Sequence, residues 1–295
     1  MSADLVQVIY TAAILGSAYS LMSAGLTLTW GGLGFLNLAY GALFTLGGFM
    51  TFWIVASHDL PAFLGLLVSF TTVAVVGTAL YFAFYRPLLR KSGWENSTLQ
   101  AGVGIAIALQ AWFTLRSPRD IQLPSIIGGT VKLPGGLVAT REGILSIGFA
   151  LAVLLVLAVF LAKSPLGMQV RAVANNREGA EITGINTGFV FAFVVAISSG
   201  LAGLSGSILG SIYFVSPSSG FTALLFALIC TVIGGLGSFG GTIIAAYIVG
   251  MSQSAISFWL GGQWVFPILF GGLMLFLLIR PEGIAGKLTF DPSRQ

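Results

Sequence analysis

Residues 163 to 186 read KSPLGMQVRAVANNREGAEITGIN, with five ionisable side chains in 24 positions, and they separate two long runs that carry almost no charge. Ser164 before Pro165 has the form of an N-cap followed by a first helical position, and Leu166, Val170 and Val173 then recur at helical spacing. Asn175 and Asn176 interrupt that helix, a second short one can begin at Arg177 and Glu178, and Gly184 stands where a left-handed cap would end it. Two short helices joined at an elbow cannot cross a bilayer. They read as a protruding knob whose polar side carries Arg171, Arg177, Glu178 and Glu181. A solvated loop with anchoring charges accounts for Lys163 and Arg171, but it has no use for an N-cap, an apolar stripe and a terminal glycine together. Docking into a partner's groove uses all three.

The flanks explain the setting. Charged residues are 7% of the 295 and hydrophobic residues 56%, with a mean hydropathy of +0.98, against about 25% charged in a soluble domain. A bilayer core about 30 Å thick takes roughly 20 apolar residues per helix. Apolar runs at 5–29, 36–56, 61–84, 97–115, 143–162, 189–213, 220–235, 241–259 and 264–279 supply about nine spans. The expected fold is therefore all-α, a polytopic transmembrane bundle with cytoplasmic helices in the knob. Lys and Arg give the orientation. One set of loops holds Arg86, Arg90, Lys91, Lys163, Arg171, Arg177, Arg280, Lys287 and Arg294; the other holds Arg116, Arg119, Lys132 and Arg141. This excess places the knob and the C-terminus in the cytoplasm and the N-terminus outside. The external segment, 116–142, mixes Pro, paired Gly and β-branched residues and reads as a small hairpin or looped cap. The first run, led by Asp4 and no basic residue, reads as a retained helix rather than a signal peptide. Basic residues scattered over loops argue against nucleic acid despite a pI near 9.4.

No Asp, Glu, Lys or Arg falls at the centre of an expected span, which argues against a proton-driven carrier or pump. His58, beside Asp59, reads as a loop residue. Neither a phosphate-cradling G-x-x-x-x-G-K-[ST] loop nor a metal-ligand cluster is present, so the chain reads as a non-enzyme that binds no ATP itself. Cys230 offers neither an intrachain disulfide nor a metal pattern. Glycine, at 40 residues, recurs at small-x-x-x-small spacing, as in Gly16, Ser20 and Ala24 and in Ser199, Gly203 and Ser207, with Gly206 and Gly210 beside them. Such stripes let helix backbones approach closely. At 31–48, GGLGFLNLAYGALFTLGG crowds glycine at the start of a span that then carries Asn37 and Tyr40 on nearly one helical face. Two arrangements fit: an interrupted helix start near a pore, or a tight turn followed by a packed helix whose Asn bonds a neighbour. GGLG recurs at 234–237, which fits two related halves.

These residues carry a family resemblance. PLGMQVRAVANNREGAEITGIN at 165–186 resembles the cytoplasmic coupling segment of the branched-chain amino acid (Liv-type) permeases of ATP-binding cassette (ABC) importers. GLTLTWGGLGFLNLAYGALFTLGGF at 25–49, AFYRPLL at 83–89, VIGGLGSFGGTIIAAYIVG at 232–250 and RPEGIAG at 280–286 resemble that family's first two spans, basic third loop, glycine-rich late span and C-terminal end, in the same order. The chain departs from the family pattern at Tyr40, where His is common, and at Gly179, where the coupling element usually has Ala.

The resemblance implies one permease domain over 1–295, with its coupling segment at 163–187, in a bacterial-type inner membrane. It implies a second homologous permease, identical or not, two cytoplasmic ATPase subunits that bind the ATP and Mg, and an external substrate-binding protein. Coupling would rest on Arg171, Asn175, Arg177, Glu178, Ala180 and Gly184, and the translocation pathway on Asn37, Tyr40 and Gln253. The cargo would be branched-chain or related amino acids, with urea or short amides as the alternative within the same importer class. A stand-alone channel for small polar solutes would have no use for the knob, and a membrane enzyme would want carboxylates or His clustered near one face.

Overall fold

Long apolar runs in a chain of this composition close their backbone hydrogen bonds internally, and helices do so without a partner. The computed structural model describes residues 2–34, 36–58, 62–89, 93–117, 119–123, 129–132 and 138–285, and they are overwhelmingly helical. Asp59, Arg90, Lys91, Lys287, Arg294 and the side chains of His58 and Lys132, which entered the sequence reading, lie outside the described residues.

The helices are α1 (Ser2–Leu33), α2 (Tyr40–His58), α3 (Ala62–Leu80), α4 (Trp94–Arg116), α5 (Arg141–Lys163), α6 (Pro165–Asn175), α7 (Arg177–Ile182), α8 (Thr187–Ile212), α9 (Ser219–Gly234), α10 (Phe239–Trp259) and α11 (Val265–Ile279). Among the described residues seven stretches are long and apolar enough to cross a membrane, and Tyr40–Val55 and Ser219–Gly234 are shorter apolar helices. Each of the nine expected spans coincides with one of these. The expected loop at 83–89 is helical instead: α3 runs on through a π turn, Tyr81–Tyr85, into Arg86–Leu88. Arg86 is itself a good helix former, and its guanidinium folds back to 5.5 Å from the centroid of the Phe82 ring. The segment 116–142 does form a hairpin, β1 (Thr130–Lys132) paired antiparallel with β2 (Val138–Thr140).

Helix α8 runs through the middle, against α1, α2 and α3, and α10 packs along α1. Glycine makes these approaches possible. A methyl group at Gly47 would collide with the Gly203 backbone, and one at Gly206 with the Phe44 carbonyl. Between helices packed this closely, hydroxyls find partners across the seam. Thr51 and Ser207 lie 2.7 Å apart and Ser207 donates to Ser69 at 2.8 Å, linking α2, α8 and α3, while Thr27 meets Thr242 at 2.9 Å between α1 and α10. The two GGLG quartets touch, since a methyl at Gly31 would stand 3.3 Å from the Gly237 Cα.

Helices α2 and α9 both begin inside the bundle. Tyr40, first in α2, places its hydroxyl against Gly25, eight residues before the end of α1, and donates to the Ser198 carbonyl at 2.7 Å. At 1.5 Å per residue that is about 12 Å in from the end of α1. The start of α9 meets the start of α2, with Gly41 and Gly220 so close that a methyl on either strikes the other's carbonyl. The 16 residues of α9 reach only about 24 Å, less than a full crossing.

Candidate coupling knob and translocation cavity

The knob is built by local hydrogen bonds. Ser164 Oγ accepts from the Gly167 N–H at 2.9 Å and starts α6; Asn176 Oδ1 accepts from the Gly179 N–H at 2.9 Å and starts α7; Asn186 Oδ1 accepts from the Phe189 N–H at 3.1 Å and starts α8. Helix α7 ends in a Schellman motif. Gly184, at φ +85°, carries the chain through the left-handed region while the Ile185 N–H donates to the Ala180 carbonyl and the Gly184 N–H to that of Glu181, each at 3.0 Å. Ala180 and Ile185 then pack with Val170, Val173 and Val190, so the stripe expected on α6 is the face that seats the knob on the bundle.

The coupling candidates divide between this seat and the outer surface. Arg177 is ion-paired with Glu181 at 3.3 Å and lies 5.0 Å over the Phe191 ring of α8. Glu181 also accepts from the Thr187 hydroxyl at 2.8 Å, and this bond, with the Arg177 partner, holds its carboxyl below the usual carboxylate range. Arg171 donates to the Leu161 carbonyl and ties α6 to the end of α5. Ala180 is buried in the seat, whereas Asn175, Glu178 and Gly184 are exposed. Met168 and Ile182, the latter 86% exposed, are apolar side chains on that outer surface that the sequence reading did not single out.

At the opposite end of the bundle a cavity of about 610 Å³ lies between the N-terminal half of α1, the turn from α8 to α9, and the C-terminal half of α10. Gln253, one of the three pathway candidates, lines it. Its Oε1 accepts from the hydroxyl of Tyr19, a buried side chain that stacks on Phe226 with ring centroids 4.9 Å apart. Phe44, the hydroxyl turn at Ser216, Ser218 and Ser219, and the polar side chains of Gln7, Thr11 and Thr222 form further parts of the wall, and Ser216 Oγ lies 3.1 and 2.9 Å from the other two hydroxyls. Among the described residues no charged side chain lines this cavity.

Asn37 and Tyr40 lie elsewhere. Asn37 precedes α2 rather than sharing a helical face with Tyr40; its Oδ1 accepts from the Ala39 N–H at 3.0 Å and from the Tyr85 hydroxyl at 2.7 Å. Both are buried, and neither lines the cavity. Sequence reasoning missed Tyr19, which carried no local signal. It also missed the serine turn, whose signal was present as SPSSG at 216–220 between two apolar runs.

A multi-pass helical bundle, with a capped knob at one end and an uncharged cavity at the other, has the form of a membrane permease. The chain belongs to the family of branched-chain amino acid transport system permease components, whose model matches residues 8–278. It is 29% identical to the high-affinity branched-chain amino acid transport system permease protein LivH of Salmonella typhimurium, over 95% of each chain. It is 28% identical to the corresponding protein BraD of Pseudomonas aeruginosa, over 92% of this chain and 93% of that one. An autoinducer 2 import system permease protein, LsrC of Salmonella paratyphi B, is 28% identical over 69% of this chain and 63% of its own. No solved structure matches the chain.

Proposed function

We propose that this chain is one of two transmembrane subunits of an ABC importer for branched-chain or related amino acids, resident in a bacterial-type inner membrane with its N-terminus outside and the knob in the cytoplasm. It pairs with a second, similar permease. Two cytoplasmic ATPases, which bind the ATP and Mg, grip the knob, and an external binding protein delivers cargo to the cavity end. The observation that carries this reading is the knob itself: two helices with ordered caps at both ends and an exposed outer surface, tied by Arg177 and Glu181 to α8, the helix that also packs against α1, α2 and α3. Closure of the ATPases moves the knob, α8 moves with it, and the bundle alternates its opening. Asn37 and Tyr40 serve this motion as the buried hinge of α2, and Gln253 serves as a cargo contact. The names of the LivH and BraD relatives support the amino-acid cargo, and the apolar part of the cavity wall, Phe44, Leu209 and Phe226, favours it over urea.

The test is reconstitution in vesicles with a partner permease, ATPases and binding protein. The assembly accumulates leucine, isoleucine or valine only with ATP and the binding protein. Accumulation against a gradient by the chain alone, without nucleotide, overturns the proposal.

A further inference from the structure

We propose that the cavity holds the cargo in one orientation, with the Gln253 amide as the donor that receives its carboxylate and Tyr19 as the positioning residue that aims that amide. The inference rests on the permease reading above and names the chemistry of the same cavity.

Tyr19 is 3% exposed, and its phenol has one hydrogen to give. Gln253 Oε1 takes it at 2.7 Å. The reverse amide orientation would offer the phenol an N–H in place of an acceptor and leave a buried donor unmatched, so burial of Tyr19 decides which way the amide lies. With Oε1 held, Gln253 presents its NH₂ group, which has no protein partner among the described residues. A group of donors alone suits an oxygen anion and repels an ammonium. The ammonium end is left to neutral oxygens, and the cavity supplies these in the hydroxyls of Ser216, Ser218 and Ser219. The rest of the wall mixes polar side chains, Gln7, Thr11, Thr222 and Ser257 among them, with an apolar part, where Phe44, Leu209 and Phe226 face the space that a branched aliphatic side chain would fill. Without a fixed charge in the lining, both ends of a zwitterion are answered by dipoles, whereas a net ion would be desolvated without a counter-charge. The geometry selects a neutral zwitterion with an apolar side chain.

The experiment uses the assembled complex without binding protein and reads ligand binding by saturation-transfer NMR, with leucine as one probe and 3-methylbutylamine, which lacks the carboxylate, as the other. The parent complex binds leucine at millimolar concentrations and at least tenfold more tightly than the amine. Gln253→Glu, nearly isosteric, inverts that preference, a gain that a folding defect cannot produce. Tyr19→Phe frees the amide and reduces the preference about threefold to tenfold, and Tyr19→His, which restores a ring N–H donor, recovers part of it. Equal binding of the two probes by the parent, or a preference unchanged in Gln253→Glu, overturns the subsite. ATP-driven leucine uptake by the parent complex in vesicles, with the binding protein added back, is scored separately: uptake without the preference rejects the subsite alone, and absence of all uptake rejects the permease reading.

Discussion

Gly184 allows the knob to be weakened at one atom. Its φ of +85° lies in the region that side chains with a Cβ rarely adopt, yet a methyl group there meets nothing within 4 Å. The cost of Gly184→Ala is therefore conformational alone, about 1–2 kcal/mol for an L-residue held left-handed. Helix α7 has six residues, too few to persist without its ends secured, so the cost falls on the two Schellman bonds and on the seat of Ile185 against Ala180. Local opening of α7 then rises about 5- to 30-fold, since 1.4 kcal/mol is a factor of ten. Hydrogen exchange of the Gly184 and Ile185 amides in nanodiscs reads this factor directly. Gly184→Asn, which tolerates the left-handed region, falls between parent and Ala. ATP-driven uptake drops in the same order, because a lever that opens transmits less motion. Unchanged exchange at those two amides in Gly184→Ala refutes the cap argument, and a rise in exchange with full uptake refutes the lever.

The other predictions concern the surface, the seat and the packing. Charge reversal of exposed Glu178 (Glu178→Lys) abolishes substrate-dependent ATP hydrolysis in the assembled complex while shifting the melting temperature little, since only a helix-dipole contribution of about 0.3–1 kcal/mol is removed; hydrolysis at the parental level rejects docking through this residue. Arg177→Glu does the same and in addition loosens α7, losing the exposed i,i+4 pair with Glu181 and the cation–π contact with Phe191, seen as faster exchange in 177–182. The depressed carboxyl of Glu181 contributes in full above the ordinary carboxylate pKa, and the contribution declines as pH falls from that value and is gone below its lower folded one. Protection of the α7 amides, corrected for the intrinsic pH dependence of exchange, is thus constant from neutral pH down to the usual carboxylate range and declines below it, and protection that stays constant through that decline counts against the pairing. Gly47→Val drives a side chain into the Gly203 backbone and costs more than about 3 kcal/mol, read as loss of monodisperse protein on detergent extraction.

Much of this was legible one stretch at a time. The spans follow from composition, because a bilayer admits almost nothing else of that length and polarity. The knob follows from Ser164, Pro165, Asn176 and Gly184, because caps and Schellman turns are bonds between residues three to five apart and so leave their mark within a single window of sequence. The glycine stripes announced close approaches too, but a missing Cβ says only that something can come near. That Gly47 meets Gly203, and Gly41 meets Gly220, depended on which helices are neighbours. The same limit hid the cavity: Tyr19 and Gln253 are 234 positions apart, and no spacing rule reaches across that distance. Asn37 and Tyr40 were drawn toward a shared helical face by their periodicity, while the chain turns between them and starts α2 inside the bundle. Local hydrogen bonds and the demands of lipid were written in the order of the amino acids; the cavity, the inward starts of α2 and α9 and the aim of the Gln253 amide were settled only when distant backbones came within van der Waals contact.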